Sequence, residues 1–330
     1  MGLETLIRRL ARARVLVVGD LMVDQFVWGK VDRVSPEAPV LVLHVDRESF
    51  HPGGAGNVAY NACALGAAVT VCGVIGNDSS GRRLRQQLRG ANVATGGVIA
   101  STASITSRKT RVIAHHQQVV RFDREQRQHT AATIARLCRW LVRHAGEFDV
   151  VLVSDYGKGV VTPETLAAIA AAGGAPVVVD PKKANFAHYR DILLATPNAQ
   201  EAAEAAGVEI VDDASLRAAG GALLQRWRAQ AILITRGEHG MALIRAGGAV
   251  RHLPTVSRQV FDVTGAGDTV AAVCALAIAV GAKLEEAAEL ANHAAGIVVG
   301  KLGTATVTPA ELRRSLRQGR EELRRSLGEL

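Results

Sequence analysis

Val15-Leu16-Val17-Val18 runs without a polar break into Gly19-Asp20. A short apolar run stopped by Gly and Asp reads as a strand buried on both faces, its carboxyl end opening on a ligand crevice. The pattern recurs. Val150–Val153 ends at Ser154-Asp155, Val177–Val179 at Asp180-Pro181, Ile192–Ala195 at Thr196-Pro197-Asn198, and Ile232–Ile234 at Thr235-Arg236-Gly237. Helical stretches at 131–144, 163–172, 199–206 and 214–228 lie among them. Strand alternating with helix predicts an α/β fold with a doubly wound, mostly parallel sheet.

Two stretches break this rhythm. Residues 23–50 hold Phe26-Val27-Trp28 and Val40–Val45 with Pro36 and Pro39 between, and residues 95–123 hold Thr110–Ile113 and Val119–Phe122. Both read as β structure outside any strand-helix-strand unit, and together they predict a small sheet standing off the main body as a lid. The expectation is a single domain over residues 1–330 with this β insertion.

Of 330 residues, 48% are hydrophobic and only 4% aromatic, so the core must be built from Ala, Val, Leu and Ile. That suits a parallel sheet covered by Ala-rich helices. The formal charge is +8. Its basic residues gather at Arg8, Arg9, Arg12 and Arg14 and along a last helix (Arg313, Arg314, Arg317, Arg320, Arg324, Arg325) that also carries Glu311, Glu321, Glu322 and Glu329. Local pairing along a solvated helix face accounts for that mixture. No recognition motif points to nucleic acid. Cys63, Cys72, Cys138 and Cys274 form no C-x-x-C pair and read as small buried hydrophobes of a reducing compartment. Neither a signal peptide nor a membrane span is legible, and a cytoplasmic location is expected.

The motif richest in chemistry is Asp262-Val263-Thr264-Gly265-Ala266-Gly267-Asp268, followed by the apolar stretch 269–281. Glycines at a helix start let backbone approach a ligand, and the free N–H groups with the helix dipole favour negative charge. Gly265, Ala266 and Gly267 are therefore candidates for an anion hole. Asp268, in the first turn, is placed to take the proton of an attacking hydroxyl. A Gly-rich turn capped by Asp is the plainer alternative. Pro52-Gly53-Gly54-Ala55-Gly56-Asn57-Val58-Ala59 would bring backbone close to a sugar, with Asn57 offering donor and acceptor. Gly54 to Ala59 also fits the dinucleotide pattern, with Asp78 about twenty residues on. Asn198-Ala199-Gln200-Glu201 starts a helix, and either holds magnesium through water or is a capping box. Arg108, Lys109, Arg111, Arg121, Lys158, Lys182 and Lys183 fall at turns or in the expected lid; gathered together they would bind an anionic substrate, and singly they are surface charge. No phosphate loop of the G-x-x-x-x-G-K-[ST] kind is present.

The order Gly19-Asp20, Gly53-Gly54 with Asn57, Asn198 to Glu201, Thr235 to Gly240, then Thr264 to Asp268 resembles the ribokinase (PfkB-type) sugar kinases over nearly the whole chain. Within that family, Gly19 to Asp24, Trp28 to Val40, Arg108 to Arg111, Ser154 to Gly159 and Asp180 to Lys182 look most like the kinases of D-glycero-D-manno-heptose 7-phosphate, in a stand-alone form without a nucleotidyltransferase domain. One departure is Val263, which separates Asp262 from Thr264.

The resemblance implies an ATP- and Mg2+-dependent phosphotransferase acting on the anomeric hydroxyl, with Asp268 as base. It implies that Asp20, Gly53, Gly54 and Asn57 grip the sugar. Arg108, Arg111, Asp155, Lys158 and Lys182 would serve a substrate that already carries a phosphate. Asn198, Ala199, Gln200 and Glu201 would lie on the phosphate and magnesium side. Thr235, Gly237, Gly240 and Asn292 would line the nucleotide. A homodimer through the lid is implied as well, and a monovalent-cation site near Gly303-Thr304 stays open. Other expectations compatible with the residues are a kinase for another sugar phosphate, an NAD(P)-binding oxidoreductase, and a non-catalytic sugar-phosphate sensor.

Overall fold

A computed structural model of the chain describes residues 2–115, 117–256, 260–301 and 303–326. The side chains of Arg320, Glu322, Arg324 and Arg325, and Glu329 altogether, lie outside the described residues. The strands are β1 (Arg14–Gly19), β2 (Leu21–Val34), β3 (Leu41–Gly54), β4 (Ala68–Gly76), β5 (Ala94–Ser101), β6 (Ser107–Ala114), β7 (Gln117–Arg124), β8 (Val150–Ser154), β9 (Val177–Asp180), β10 (Leu194–Ala195), β11 (Ala231–Thr235), β12 (Met241–Arg245) and β13 (Val250–Leu253). The helices are α1 (Leu3–Leu10), α2 (Ala55–Ala64), α3 (Ser79–Gly90), α4 (Ala131–His144), α5 (Pro163–Ala172), α6 (Ala199–Ala206), α7 (Asp213–Trp227), α8 (Ala266–Ala279), α9 (Leu284–Val298) and α10 (Pro309–Ser326).

Among the described residues nine strands form the main sheet in the order β13-β12-β11-β10-β9-β8-β1-β4-β5. It is parallel except where β12 pairs with β11 and β13. The alternation of β1 shows why its apolar run is uninterrupted: Val15 and Val17 enter one core, Leu16 and Val18 the other. Period-two side chains buried on both faces need helices on both faces. The first core takes residues from α1, α2, α3, α8, α9 and α10, and the second takes residues from α4, α5, α6 and α7. Among the described residues no helix is long and apolar enough to cross a membrane, and all four cysteines are free.

The chain leaves β1 toward β4 on one side and returns to β8 on the other, so β1 and β8 flank the point where the winding reverses. Ligand crevices form outside the carboxyl ends of strands at such a point. Gly19 meets Ser154 there, and a Cβ on Gly19 would fall 2.0 Å from the Ser154 carbonyl oxygen.

A second sheet, ordered β3-β2-β6-β7, stands apart. The sequence expectation for it needs one correction. The stretch 95–123 divides, because Ala94–Ser101 is β5 at the edge of the main sheet, paired in parallel with β4. Only β6 and β7 join the second sheet, whose other half spans Leu21–Val34 and Leu41–Gly54. Nothing local to 94–101 distinguishes the two sheets. The choice is made by β4, which needs a neighbour on its open side.

Candidate functional site

Helix α8 begins at Gly265, which is left-handed at φ +79°. A Cβ there would lie 2.8 Å from Asn57 Nδ2, so glycine is required both by conformation and by contact with α2. The turn carries Asp268 to the third helical position, where its side chain is 4% exposed. Asn57 Nδ2 donates to its Oδ2 at 2.6 Å, and the Tyr156 hydroxyl donates to its Oδ1 at 2.6 Å. Burial pushes the Asp268 carboxyl up to about 6; the bonds from Tyr156 and Asn57 and the Lys109 charge hold it down, and the Asp24 charge adds to the rise. A carboxylate poised there suits a proton acceptor at neutral pH.

Asp20 sits between β1 and β2 and is buried. Its Oδ2 accepts the backbone N–H groups of Tyr156 at 2.8 Å and Lys158 at 3.0 Å, and its Oδ1 accepts that of Val160 at 3.0 Å. Burial raises its proton affinity against the pull of those three amides. Asp20 thus shapes the loop after β8, and three of its acceptor positions are spent on backbone. Asp155, pushed up to about 6 mainly by burial, accepts from the Asn185 amide at 2.7 Å, the Gly157 N–H at 2.7 Å and the Tyr189 hydroxyl.

Asp24, which sequence reasoning did not single out, is the carboxylate that β2 turns into the cleft. It is 5% exposed and pairs with Arg111 at 2.5 Å. Gly53 lies on β3 opposite Met22 and diagonal to Asp24, and a Cβ there would come within 2.2 Å of Asp24 Oδ2. The Gly53 requirement is therefore room for Asp24. The strand period carried the signal, since Asp24 pairs with Lys109 and Phe26 with Arg111 on one face of the sheet. The same period corrects Arg108. It pairs with Val23 and projects from the other face than Lys109 and Arg111, away from the cleft. Lys109 Nζ stands 5.3 Å from the Tyr156 ring centroid.

Lys158 joins Arg121, Asp123, Glu125 and Arg127 around a recess of about 690 Å3, with its Nζ 2.5 Å from Glu125. Lys182 pairs instead with Glu201 at 2.5 Å. Burial would weaken the Lys182 hold on its proton, but Glu201, Asp180 and Asp155 outweigh it and raise the ammonium's affinity. Asn198 and Glu201 form a capping box at α6: Glu201 N–H donates to Asn198 Oδ1 at 2.9 Å and Asn198 N–H to Glu201 Oε2 at 3.0 Å. Gln200 reaches Glu204 at 2.9 Å, along the helix.

On the other side of the α8 turn lies a cavity of about 610 Å3. Thr235, Gly237, Gly240, Asn292, Ala266 and Gly267 all line it, with Val260, Val263, Val270 and Val299 as apolar wall. Asn292 is fixed by donating to the Pro254 carbonyl at 2.7 Å. Apolar walls with a few fixed polar groups fit a nucleoside. The Ala266 N–H donates to the Val263 carbonyl at 3.2 Å, and the next α8 amides, those of Gly267 and Asp268, fit phosphate at the helix start. Among the described residues no group of three His, Cys, Asp or Glu could hold a metal. Both Glu201 oxygens are engaged within the chain, Oε1 by Lys182 and Oε2 by the Asn198 N–H, so the donors suit Mg2+ carried on nucleotide phosphates and water rather than an all-protein cage.

The dinucleotide pattern does not find its context. Gly54 to Ala59 follows β3 of the second sheet, which is antiparallel to β2, and Asp78 caps α3 by accepting the Gly81 N–H at 2.8 Å.

Residues 12–311 match the pfkB family carbohydrate kinase profile. Bifunctional protein HldE of Pelobacter propionicus is 49% identical over 315 residues, covering 94% of this chain and 64% of that protein. Its counterpart in Geobacter sulfurreducens is 49% identical over 319 residues, covering 96% and 65%. The chain thus spans just under two thirds of the length of these relatives. Among solved structures, Arabidopsis thaliana ribokinase complexed with ribose and ATP superimposes with a TM-score of 0.72 at 19% identity, covering 92% of this chain and 98% of that one. Escherichia coli phosphofructokinase-2 in complex with substrates and products gives 0.76 at 20%, covering 92% and 97%. At such identities the superpositions speak for the ribokinase-like fold.

Proposed function

Since the chain belongs to the pfkB family of carbohydrate kinases, we propose that it transfers the γ-phosphoryl group of ATP to the anomeric hydroxyl of D-glycero-D-manno-heptose 7-phosphate, giving the 1,7-bisphosphate of lipopolysaccharide core assembly. One observation carries the reading. A single helical turn presents Ala266 and Gly267 to the nucleotide cavity and Asp268 to the cleft beneath the second sheet.

The acceptor sugar lies between Asp24, Asn57 and Asp268, with the Asp20-held loop at its edge. Asp268 takes the hydroxyl proton as the oxygen attacks in line. The amides of the α8 turn stabilise charge on the phosphoryl oxygens. Mg2+, bound with the nucleotide, supplies further neutralisation of that charge. The second sheet covers the cleft and limits hydrolysis by water. Lys109, Arg111, Arg121, Arg127 and Lys158 make this side of the cleft cationic, which supports an acceptor that already bears a phosphate. The identity to bifunctional HldE proteins supports heptose 7-phosphate over other sugar phosphates.

The test is ADP release with Mg-ATP and a panel holding heptose 7-phosphate, fructose 6-phosphate and ribose. Turnover confined to heptose 7-phosphate is expected. Preference for another sugar overturns the substrate and keeps the kinase, while no turnover with any sugar sinks the reading.

A further inference from the structure

Tyr156 touches the base yet takes no part in the transfer just described. It follows Asp155 in the loop after β8 and is half-buried. Its hydroxyl donates to Asp268 Oδ1 at 2.6 Å, while Asn57 holds Oδ2 at 2.6 Å. The loop that carries it is pinned by three backbone bonds to Asp20, the first from the Tyr156 N–H itself. The Lys109 ammonium lies over the ring at 5.3 Å. A side chain set from its backbone, its face and its tip is positioned for a purpose beyond filling space.

We propose that Tyr156 is a positioning residue for Asp268: its hydroxyl fixes the carboxylate so that a free lone pair faces the acceptor hydroxyl, and it sets the pH at which that carboxylate is available. The proposal rests on Asp268 being the base. The groups facing Asp268 are Asn57 from α2, Asp24 from β2, Lys109 from β6, Tyr156 from its loop and Asp180 from the end of β9. Asp24 favours the neutral acid, and Lys109 and both hydrogen bonds favour the anion. Burial and the Asp268 charge raise the Tyr156 phenol well above its usual range, so it stays a donor at every working pH. Without the hydroxyl, Oδ1 is left buried and short of a donor, and protonation of Asp268 becomes easier.

The experiment is the pH profile of kcat for wild type and Tyr156→Phe, with 13C carboxyl NMR titration of Asp268 in the unliganded proteins. A hydrogen bond to a charged group is worth about one pH unit or more. The acid limb is therefore expected to move up by about that much. Activity at pH 5 should fall roughly tenfold and recover to within about threefold by pH 9, with KM for ATP unchanged. A uniform loss with an unmoved limb and an unmoved Asp268 titration overturns the proposal, as does no change at all. If Tyr156→Phe fails to fold, replacing the tyrosines by 3-fluorotyrosine keeps the ring and strengthens donation. The limb should then move down, and a static limb overturns the proposal. Asp268→Asn separates the two failures: retained turnover in that variant refutes the base itself.

Discussion

Asp268 is asked to be ionised in a place that resists ionisation. Replacing it by Asn should lower kcat roughly 10²- to 10⁴-fold, the usual worth of a general base, with ATP binding by calorimetry and the circular dichroism spectrum unchanged. Turnover near wild type would refute the assignment. Gly53→Ala makes a second residue-level prediction. The added Cβ meets Asp24 Oδ2 at 2.2 Å, so the carboxylate must move. KM for the sugar is expected to rise roughly 10- to 100-fold, as for other misplacements of about an ångström. KM for ATP, which the proposed reading puts across the α8 turn, should stay put. A parallel rise in both would show that the change disturbs the fold instead of the cleft.

At the scale of elements, α6 and the loop after β9 meet through Lys182 and Glu201. Lys182→Ala is expected to raise KM for the sugar phosphate several-fold more than KM for ATP. Equal effects would count against a sugar-phosphate role for Lys182, and a larger rise for ATP would assign it, with the Asn198–Glu201 cap, to the nucleotide side. Much of the element pattern was legible beforehand because burial on both faces writes an uninterrupted apolar run, as in β1, β8, β9 and β11. β10 proved shorter than its run, Leu194–Ala195. β5 was misassigned because Ala94-Thr95-Gly96-Gly97 carries little apolar signal, and its pairing with β4 is a long-range choice. Gly97 serves that pairing, since a Cβ there would lie 2.7 Å from Cys72 Cβ. In the site, motifs at helix starts were readable because glycine and cap chemistry is local. Asp24 is not legible as a site residue, and Arg108 reads the same as Arg111, because which face of a strand looks into a cleft depends on what the other strands do. Tyr156 was passed over because its role lies in one bond to a residue 112 positions away.

For the whole molecule, the raised carboxyls link stability to pH. Asp268 and Asp155 stand at about 6 in the fold against 3.8 for an ordinary aspartate. Between those values the folded chain holds more protons than the unfolded one, so stability falls as pH rises through that window. Each ionised group costs on the order of 3 kcal/mol. Without ligands the melting temperature should drop from pH 5 to pH 7, and Asp268→Asn should remove part of the slope; a melting temperature that rises over that range would contradict the linkage. The second sheet bears on assembly. Leu41 is 56% and Phe122 53% exposed, with Val34, Val40, Val45, Val119 and Val120 also exposed. This much exposed apolar surface on one sheet is what a partner would cover, and we propose that the partner is a second copy of the chain. Leu41→Asp with Phe122→Asp should halve the mass seen by light scattering, and an unchanged mass would refute this interface.

The way that sheet is attached has a mechanical side. One residue, Asp20, separates β1 from β2, and β3 runs straight into α2 after Gly54. The sheet is thus hung at the edge of the proposed sugar cleft, and Asp20 and Gly54 form its fulcrum. A strand of 14 residues such as β2 reaches about 45 Å at roughly 3.3 Å per residue, so a tilt of about 5° at Asp20 swings the tip by about 4 Å. Leverage also runs the other way: whatever grips the far end of the sheet bears, with amplified torque, on the residues around the acceptor hydroxyl.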